Sequence, residues 1–333
     1  MKKSSFLALA VAPMILGAPL ASQAQSVSTD PVGFVKTELT SEDYTLISVN
    51  LTKPSVYGAS VSSATSDSIV VSDDNVDFST VLGDGIYYIE VTSGLFKGDR
   101  LDIESASDQT LNLDLSAGHN TVDTAEGVEA GSTFVIREHY TFADLAESIG
   151  IDSLLKGNGP DDSDQILTFE SGGFVSYFLG SDENWYSSDG SFTNVNGKAI
   201  PTGSGVLFYA NPVAGERDLN LLVLGEVRNN DVVLPTNEGY QIITTGFPID
   251  MSPSDLLMNT DYFEGGSGTE DADLILRYQD GGFVSYFLGS DDNWYTTDGS
   301  FTVVTDDKLF KADEGVLLYR QSADPDFRIN NQL

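Results

Sequence analysis

The strongest constraint on the fold is a segment that occurs twice. Residues 172–193 read GGFVSYFLGSDENWYSSDGSFT and residues 281–302 read GGFVSYFLGSDDNWYTTDGSFT, a spacing of 109 residues. The two copies differ at three positions, each a Glu/Asp or Ser/Thr exchange. A repeating unit of about 100 residues has the size of a domain rather than of a solenoid turn. The chain is therefore predicted to contain tandem domains.

The match extends beyond the nearly identical segment. Residues 164–167 match residues 273–276 at the same spacing, and residues 205–209 match residues 315–319 with one residue inserted. A weaker likeness pairs residues 32–35 and 44–47 with residues 225–228 and 240–243. The predicted division is a signal peptide at 1–24, an N-terminal β domain at 25–130, and repeat modules at 131–228 and 229–333.

The first residues have the pattern of a secretory signal peptide. A basic start at Met1–Lys3 precedes a mostly apolar run over residues 6–16, and Ser22 and Ala24 suit a cleavage site after Ala24. The apolar run is shorter than the ~20 residues that span a bilayer, and no later stretch approaches that length. We expect secretion, to the periplasm, the cell surface or the medium, with no transmembrane helix in the mature chain.

Strand signals dominate the rest of the sequence. Runs rich in Val, Ile, Tyr and Phe, such as residues 44–49 and 86–91, recur between clusters of Gly, Asp, Asn and Ser. One short helix is predicted over residues 141–150, with Thr141 as N-cap and Gly150 as the stop signal, and residues 253–258 form a shorter counterpart. The predicted fold class is all-β, mainly antiparallel meanders with one or two short helices, arranged as modular tandem β-domains.

Within the repeat, residues 174–179 form a strand whose faces are both apolar, which indicates burial on both sides. Trp185 opens a second strand. The pair Asp189-Gly190 favours a type I′ hairpin turn, and Phe192 would continue a third strand. The segment is therefore predicted to be a β-meander.

The two tryptophans, Trp185 and Trp294, are the first candidate binding residues. An indole can stack on a sugar ring while nearby polar groups bind its hydroxyls, or it can fill a core with its N–H bonded internally. Exposure of the indoles distinguishes these alternatives. The polar groups of the candidate sugar site are Asp182, Asn184, Tyr186 and Asp189 in the first copy, and Asp291, Asn293, Tyr295 and Asp298 in the second.

Calcium is the second candidate ligand, and no other cofactor is expected. Acidic loops occur at matching positions of the two copies, and carboxylates at alternate positions can bind a hard cation. Neither loop has the EF-hand pattern, so a solvated acidic loop is the alternative. The candidate ligands are Asp161, Asp162 and Asp164 in the first copy, and Glu270, Asp271 and Asp273 in the second.

Charge and motifs narrow the function further. The chain has 51 acidic and 16 basic residues, a net charge of −35, which opposes binding to nucleic acid and to anionic lipid. It has no cysteine, and therefore no disulfide framework. His119 and His139 lack metal-ligand spacing, and no nucleophile elbow, HExxH, P-loop or dinucleotide motif is found. We expect no enzymatic activity.

Four segments carry a resemblance to a known family: residues 29–35, 134–137, 164–167 and 224–227. With these, the chain resembles a family of exported β-rich repeat proteins found as many paralogues in Verrucomicrobia-type bacteria. The resemblance covers nearly all of the chain after the signal peptide. It implies export and a β-rich modular fold, and it implies no activity, substrate or site residue.

Together these features predict an exported, non-enzymatic β-module protein with a structural or interaction role at the cell surface or outside the cell. The alternative is a carbohydrate-binding protein that uses Trp185 and Trp294 as stacking platforms. Under these two predictions, the expected partners of the protein are polysaccharides or other cell-surface proteins.

The surplus of carboxylates predicts a protein that salt stabilises. Loss of Lys2 and Lys3 with the signal peptide takes the net charge from −35 to −37. Since salt screens repulsion between exposed charges, the melting temperature of the mature protein should rise from low to molar NaCl. A melting temperature that stays flat over this range would contradict the prediction.

Overall fold

The computed structural model describes residues 31–115 and 128–331, and every pairing between its strands is antiparallel. The elements of the first part are β1 (Val32–Leu39), β2 (Tyr44–Ser48), β3 (Ser55–Ala64), β4 (Ser68–Val71), α1 (Phe78–Val81), β5 (Tyr87–Val91), β6 (Arg100–Ser107) and β7 (Thr110–Leu113). The predicted all-β class is confirmed. In these two ranges no helix is long and apolar enough to cross a membrane.

The second part adds one further helix and fifteen strands. They are β8 (Thr133–Glu138), β9 (Tyr140–Thr141), α2 (Phe142–Ile149), β10 (Gln165–Glu170), β11 (Gly173–Leu179), β12 (Trp185–Ser187), β13 (Ala199–Ile200), β14 (Gly205–Tyr209), β15 (Leu219–Glu226), β16 (Val232–Thr236), β17 (Gly239–Ile243), β18 (Leu274–Gln279), β19 (Gly282–Leu288), β20 (Trp294–Thr296), β21 (Val316–Arg320) and β22 (Asp324–Ile329). Short 3-10 helices cover Ile151–Ser153, Pro160–Asp162 and Pro212–Ala214.

The repeat forms two five-stranded sheets of the same order. The first sheet runs β2-β14-β10-β11-β12 and the second runs β17-β21-β18-β19-β20. Their registers also agree, since Gln165 lies opposite Phe178 as Leu274 lies opposite Phe287. Each sheet is accompanied by a two-stranded ribbon, β1–β15 in the first module and β16–β22 in the second.

A closed barrel is nested inside the first module. Its strand order is β3-β4-β7-β6-β5-β8, around a core that includes Ile89, Leu101 and Ile136. This division differs from the predicted boundary at residues 130 and 131. The strands β1 and β2 pair with β15 and β14 of the first module, while β8 closes the barrel. Pairings between strands so distant in sequence leave no local signal.

These pairings explain one part of the weaker sequence likeness, the match of residues 44–47 with residues 240–243. Strand β2 is equivalent to β17, because Tyr44 lies opposite Tyr209 as Tyr240 lies opposite Tyr319. Residues 32–35, however, are not a copy of residues 225–228. The two segments are neighbours in one ribbon, with Val32 opposite Glu226, and the counterpart of β1 is β16.

Helix α2 begins and ends where the sequence predicts. The Thr141 hydroxyl accepts the Asp144 N–H, and the Asp144 carboxylate accepts the Thr141 N–H at 2.8 Å, which completes a capping box. Gly150 ends the helix with a φ of 100°. The predicted counterpart at residues 253–258 is a run of turns instead of an α-helix.

The type I′ turn lies elsewhere than predicted. Ser171 and Gly172 both have positive φ, and they join β10 to β11 as a two-residue loop. At the predicted site only Gly190 has positive φ, because the Asp189-Gly190 loop follows a strand of three residues. Phe192 lies in an irregular segment and adds no third strand.

The two sheets pack on each other as well as on their own cores. One face of the first sheet covers a core that includes Trp185 and helix α2, and one face of the second covers a core that includes Trp294. Between the sheets lies a third apolar cluster, which we call the seam. Its buried members are Leu46, Leu207, Ile242 and Leu317. Each sheet is therefore apolar on both faces, which fixes the arrangement of the modules.

Truncating a seam residue should destabilise the protein. Leu207 is 4% exposed, so Leu207→Ala is expected to lower the free energy of unfolding by ~2–5 kcal/mol in urea denaturation, through lost burial and a cavity. The control is Leu222→Ala on β15, where the side chain is 42% exposed and the expected change is within about 0.5 kcal/mol. Equal effects of the two changes would contradict the face-to-face packing.

Candidate functional site

Both tryptophans lie in cores. Trp185 and Trp294 are 1% and 0% exposed, and they pack edge-on against Phe142 and Phe263. The Trp294 indole donates to the Met258 carbonyl at 2.7 Å, while the Trp185 indole N–H has no hydrogen-bond partner among the described residues. Neither ring offers a face to solvent, so the predicted stacking platform is not present. The short strands that carry the indoles direct them into the module cores.

The polar groups predicted around Trp185 hold its turn together. The Asp182 carboxylate accepts the Tyr186 hydroxyl at 2.7 Å and the Asn184 amide at 2.9 Å. Asp189 accepts the Ser191 N–H at 2.8 Å. These hydrogen bonds lower the pKa of Asp182 and of Asp189 below the ordinary value for a carboxyl group. The carboxylates stabilise a loop and do not converge on a common point.

The second copy repeats these contacts. The Asp291 carboxylate accepts the Tyr295 hydroxyl at 2.7 Å and the Asn293 amide at 3.1 Å, and Asp298 accepts the Ser300 N–H at 2.9 Å. Hydrogen bonds again lower the pKa of Asp291 and of Asp298. The two copies therefore have the same set of turn contacts.

The acidic loops are also built from internal hydrogen bonds. Asp162 accepts the backbone N–H groups of Asn158 and Gly159, both at 2.9 Å, and Asp271 binds the equivalent loop of its module in the same way. Asp161 is exposed, as is its counterpart in the second copy. Over residues 31–115 and 128–331 no three acidic or histidine side chains come together as a metal site.

The third carboxylate of each acidic loop is fully buried and forms an ion pair. Asp164 binds Arg217 through two hydrogen bonds of 2.7 Å, and Asp273 lies 2.7 Å from Arg320. Each carboxylate also accepts two backbone N–H groups. Burial raises the pKa of Asp273, and the hydrogen bonds and Arg320 oppose this shift. The buried carboxylate of each acidic loop therefore has all of these partners within the chain.

The seam carries an aromatic array that the sequence did not reveal. Its members are, in spatial order, Tyr319, Tyr240, Phe169, Phe174, Phe283, Tyr278, Tyr44 and Tyr209. Neighbouring ring centroids lie between 4.5 and 6.5 Å apart. Equivalent residues of the two modules follow in the same order from either end of the array. Phe174 and Phe283, which are equivalent in the repeat, stack at its centre. The array thus follows an approximate twofold relation between the modules.

Three rings of the aromatic array are open to solvent. Phe174 is 39% exposed, Phe283 is 38% exposed and Tyr240 is 43% exposed. Phe169, Tyr278 and Tyr44 are partly buried against the seam leucines and isoleucine, and the end rings Tyr209 and Tyr319 are also partly buried. The array is therefore anchored in an interior cluster and reaches the surface at its centre and on one side.

A cleft opens beside the aromatic array at each side of the seam. Cleft A has a volume of about 690 Å³ and lies between the β10–β11 turn of the first module and β17 of the second. Its lining includes Arg100, Phe169, Glu170, Ser171, Lys198, Ser204, Asn237, Glu238, Tyr240 and Gln241. Arg100 comes from the barrel, so all three parts of the chain contribute. Burial, together with the charge of Arg228, lowers the pKa of Arg100 to about 10.

Cleft B has a volume of about 420 Å³ and is formed by the reciprocal elements, the β18–β19 turn of the second module and β2 of the first. Its lining includes Glu38, Asp43, Tyr44, Arg277, Tyr278, Asp280, Asp313 and Glu314. Tyr278 donates to Asp43 at 2.8 Å, and burial with this contact raises the pKa of Tyr278 to about 12. Burial beside other carboxylates raises the pKa of Asp313.

The two clefts are equivalent in backbone but not in charge. In cleft A the two cations, Arg100 and Lys198, balance Glu170 and Glu238. In cleft B five carboxylates face the single cation Arg277. Duplication therefore produced two related clefts, one electrically balanced and one acidic.

An ion pair lies at the rim of cleft A. Lys198 is 3.0 Å from Glu170, and its ammonium group lies over the Tyr177 ring at 5.3 Å. Partial burial raises the pKa of Glu170, but hydrogen bonds from Thr168 and Lys198 outweigh burial and the pKa falls below its ordinary value. The pKa of Lys198 is raised by the same pair against the effect of burial. Both groups therefore stay charged around neutral pH.

Buried ions join the barrel to the modules. Glu90 of β5 is 1% exposed and lies 3.3 Å from Arg137 of β8 and 3.5 Å from Arg228, which follows β15. Arg137 reaches Glu226 of the first module at 2.5 Å. These contacts hold the barrel against the first module. Arg100, which lines cleft A, adds hydrogen bonds to the Thr202 carbonyl of the first module and the Val233 carbonyl of the second.

His139 is part of the same junction. Its Nε2 atom lies 2.9 Å from Asp102, and its ring packs 4.5 Å from the Tyr88 ring. Both His139 and Tyr88 are almost completely buried. His119 and the predicted signal peptide lie outside the described residues.

Sequence reasoning missed the aromatic array because its members come from six separate segments. One signal was available: Phe169, Phe174 and Tyr209 recur as Tyr278, Phe283 and Tyr319 at the spacing of the repeat. The role of Tyr44 and Tyr240 depends on how the sheets stack. That stacking was not predicted.

Removing one charge from the buried Asp164–Arg217 pair should destabilise the protein. We expect Asp164→Asn to lower the free energy of unfolding by ~3–5 kcal/mol, because the partly buried Arg217 guanidinium loses the fully buried carboxylate that pairs with it. Calcium should not alter the melting temperature of the parent protein or of the Asp164→Asn variant.

The matched control is Asp182→Asn in the exposed turn, which keeps an oxygen acceptor for Tyr186 and Asn184 and should lower stability much less. Urea denaturation of the three proteins, with and without calcium, makes the comparison. Stabilisation of the parent protein by calcium, lost in Asp164→Asn, would instead support a metal site.

No protein-family model, no curated protein and no solved structure matches this chain.

Proposed function

We propose that this chain is an exported, non-enzymatic protein with an interaction role at the cell surface or outside the cell. Its contact surface is the exposed part of the aromatic array at the seam. The observation that carries this proposal is the aromatic array, which reaches solvent between two clefts. Export rests on the signal-peptide pattern of the first 24 residues.

The exposed rings favour a binding role because they leave apolar area in contact with water. Phe174 and Phe283 stack on each other at the surface with an interplanar angle of 17°. Exposed apolar area that is contiguous and bordered by polar groups is typical of interaction sites. Aromatic side chains are also enriched in the energetically important part of interfaces. The base of the array is rigid, since it belongs to the packed seam.

The proposed surface replaces the one predicted from the tryptophans. Binding through Trp185 and Trp294 loses its support because both indoles are buried. The proposal that the protein is not an enzyme continues to rest on the lack of a recognised catalytic motif in the sequence.

The seam can be tested by changing its central rings. The double variant Phe174→Ser/Phe283→Ser should reduce retention of the protein by the envelope of the producing cells about tenfold, because two exposed contact residues are lost. Retention is measured as the ratio of envelope-bound to released protein in fractionated cultures. Melting temperatures verify that both proteins are folded.

Phe34→Ser is the matched control, since Phe34 is 69% exposed on the β1–β15 ribbon, away from the aromatic array. It should be retained like the parent protein. Unchanged retention of the double variant would overturn the proposal, and release of Phe34→Ser alone would move the contact surface to the ribbon.

A further inference from the structure

We infer that cleft A binds an uncharged saccharide. This inference rests on the proposed role of the seam as a contact surface and names the ligand of one of its clefts. It differs from the tryptophan platform in residues, location and charge environment.

The size of cleft A suits a small ligand or a short stretch of a polymer. Its volume of about 690 Å³ lies within the range of ~300–1,000 Å³ that is usual for small-molecule sites. Its lining comes from both modules, with Arg100 from the barrel. Such a junction between domains is a preferred place for ligand sites.

One wall of cleft A is aromatic. Tyr240 is 43% exposed and its ring lies 6.1 Å from that of Phe169, which also lines the cleft. An aromatic face carries partial negative charge, so it attracts the C–H groups on the face of a sugar ring. The contact between Tyr240 and Tyr319, with centroids 4.6 Å apart, holds the exposed ring in place.

The lining of cleft A also supplies hydrogen-bonding groups. Glu170 and Lys198 form an ion pair of 3.0 Å beside Phe169, and Asn237 and Glu238 are exposed on the β16–β17 turn that leads to Tyr240. Carboxylates accept hydrogen bonds from hydroxyl groups, and the ammonium group donates them. A polyol with an apolar ring face matches both the aromatic and the polar lining, whereas a purely apolar ligand would leave these polar groups desolvated and unpaired.

Charge selects an uncharged ligand. The four ionised groups of cleft A cancel, so the cleft offers no net attraction to an ion. An anionic saccharide would in addition approach a protein of net charge −35, which repels it. Cleft B, with five carboxylates and one arginine, has the opposite bias and favours cations. A neutral sugar is therefore expected in cleft A and not in cleft B.

The reciprocal clefts provide a matched pair of variants. Tyr240→Ala removes the exposed ring of cleft A, and Tyr44→Ala removes the equivalent ring of cleft B. The probes are neutral hexasaccharides of β-1,4-glucose, β-1,3-glucose, β-1,4-xylose and β-1,4-mannose, titrated calorimetrically into the protein after removal of the signal peptide. We expect at least one probe to bind, Tyr240→Ala to weaken it about tenfold, and Tyr44→Ala to bind as the parent does. Tyr240→Phe, which keeps the ring, should retain binding.

Three outcomes would overturn the inference: no probe binds, a charged hexasaccharide such as oligogalacturonate or a chitosan oligomer binds more tightly than every neutral probe, or the two alanine variants lose affinity equally. A Tyr240→Phe variant that fails like Tyr240→Ala would also count against ring stacking. These results are separable from the proposed function. If envelope retention depends on Phe174 and Phe283 while no neutral probe binds, only the saccharide is wrong.

Discussion

Each module has a sheet that is apolar on both faces, and the rest of the structure depends on this property. One face is covered by the module's own core and the other needs a second apolar sheet. Leu46 and Leu207 of the first sheet meet Ile242 and Leu317 of the second, so each module supplies the cover that the other lacks. Burial of apolar area is the main favourable contribution to such packing. The seam, its clefts and the aromatic array all follow from it.

Polar contacts then give the packed modules a unique relative position. Asn50 is 1% exposed, donates to the Ala312 carbonyl at 2.9 Å and accepts the Gly246 N–H at 2.9 Å. The ion pairs of Glu90 with Arg137 and Arg228 fix the position of the barrel in the same way. A buried polar group is costly unless its partners are in place, so other arrangements of the three parts are disfavoured. Apolar area thus provides the affinity between the parts, and the buried polar groups provide the orientation.

The sequence predicted what depends on local pattern. The all-β class, helix α2 with its Thr141 cap, and the two repeat modules follow from periodicity, capping residues and self-similarity. The sequence placed the type I′ turn at Asp189-Gly190 because Asp-Gly is a preferred pair for this turn. The two positive φ angles that the turn requires occur instead at Ser171 and Gly172. A sequence lists acidic residues but not their partners, so Asp164 and Asp273 could not be recognised as halves of ion pairs.

The site was less predictable than the fold. Abundant aromatic residues do not indicate which of them lie in cores, and the two tryptophans lie there because β12 and β20 face inward. The array instead combines rings from both modules, and its geometry depends on sheet stacking. The nesting of the barrel was hidden for a related reason. The chain leaves the first module after β2 and returns at β9, and no linker rich in Pro or in Gly and Ser marks either point.

This nesting has a consequence for the order in which the chain folds. Leu39 must find Leu219 and Tyr44 must find Tyr209, so the first two strands emerge from synthesis long before their partners. A contact across such a distance is slow to form in an unfolded chain. The barrel shortens that distance, because Ser55 pairs with Arg137 and its two ends therefore meet once it has closed. A barrel that folds first converts a long loop into a short one and carries β2 to the neighbourhood of β9. Closure of the barrel therefore shortens the loop that β1 and β2 must span to reach β15 and β14, whereas the second module has no inserted barrel between β17 and β21.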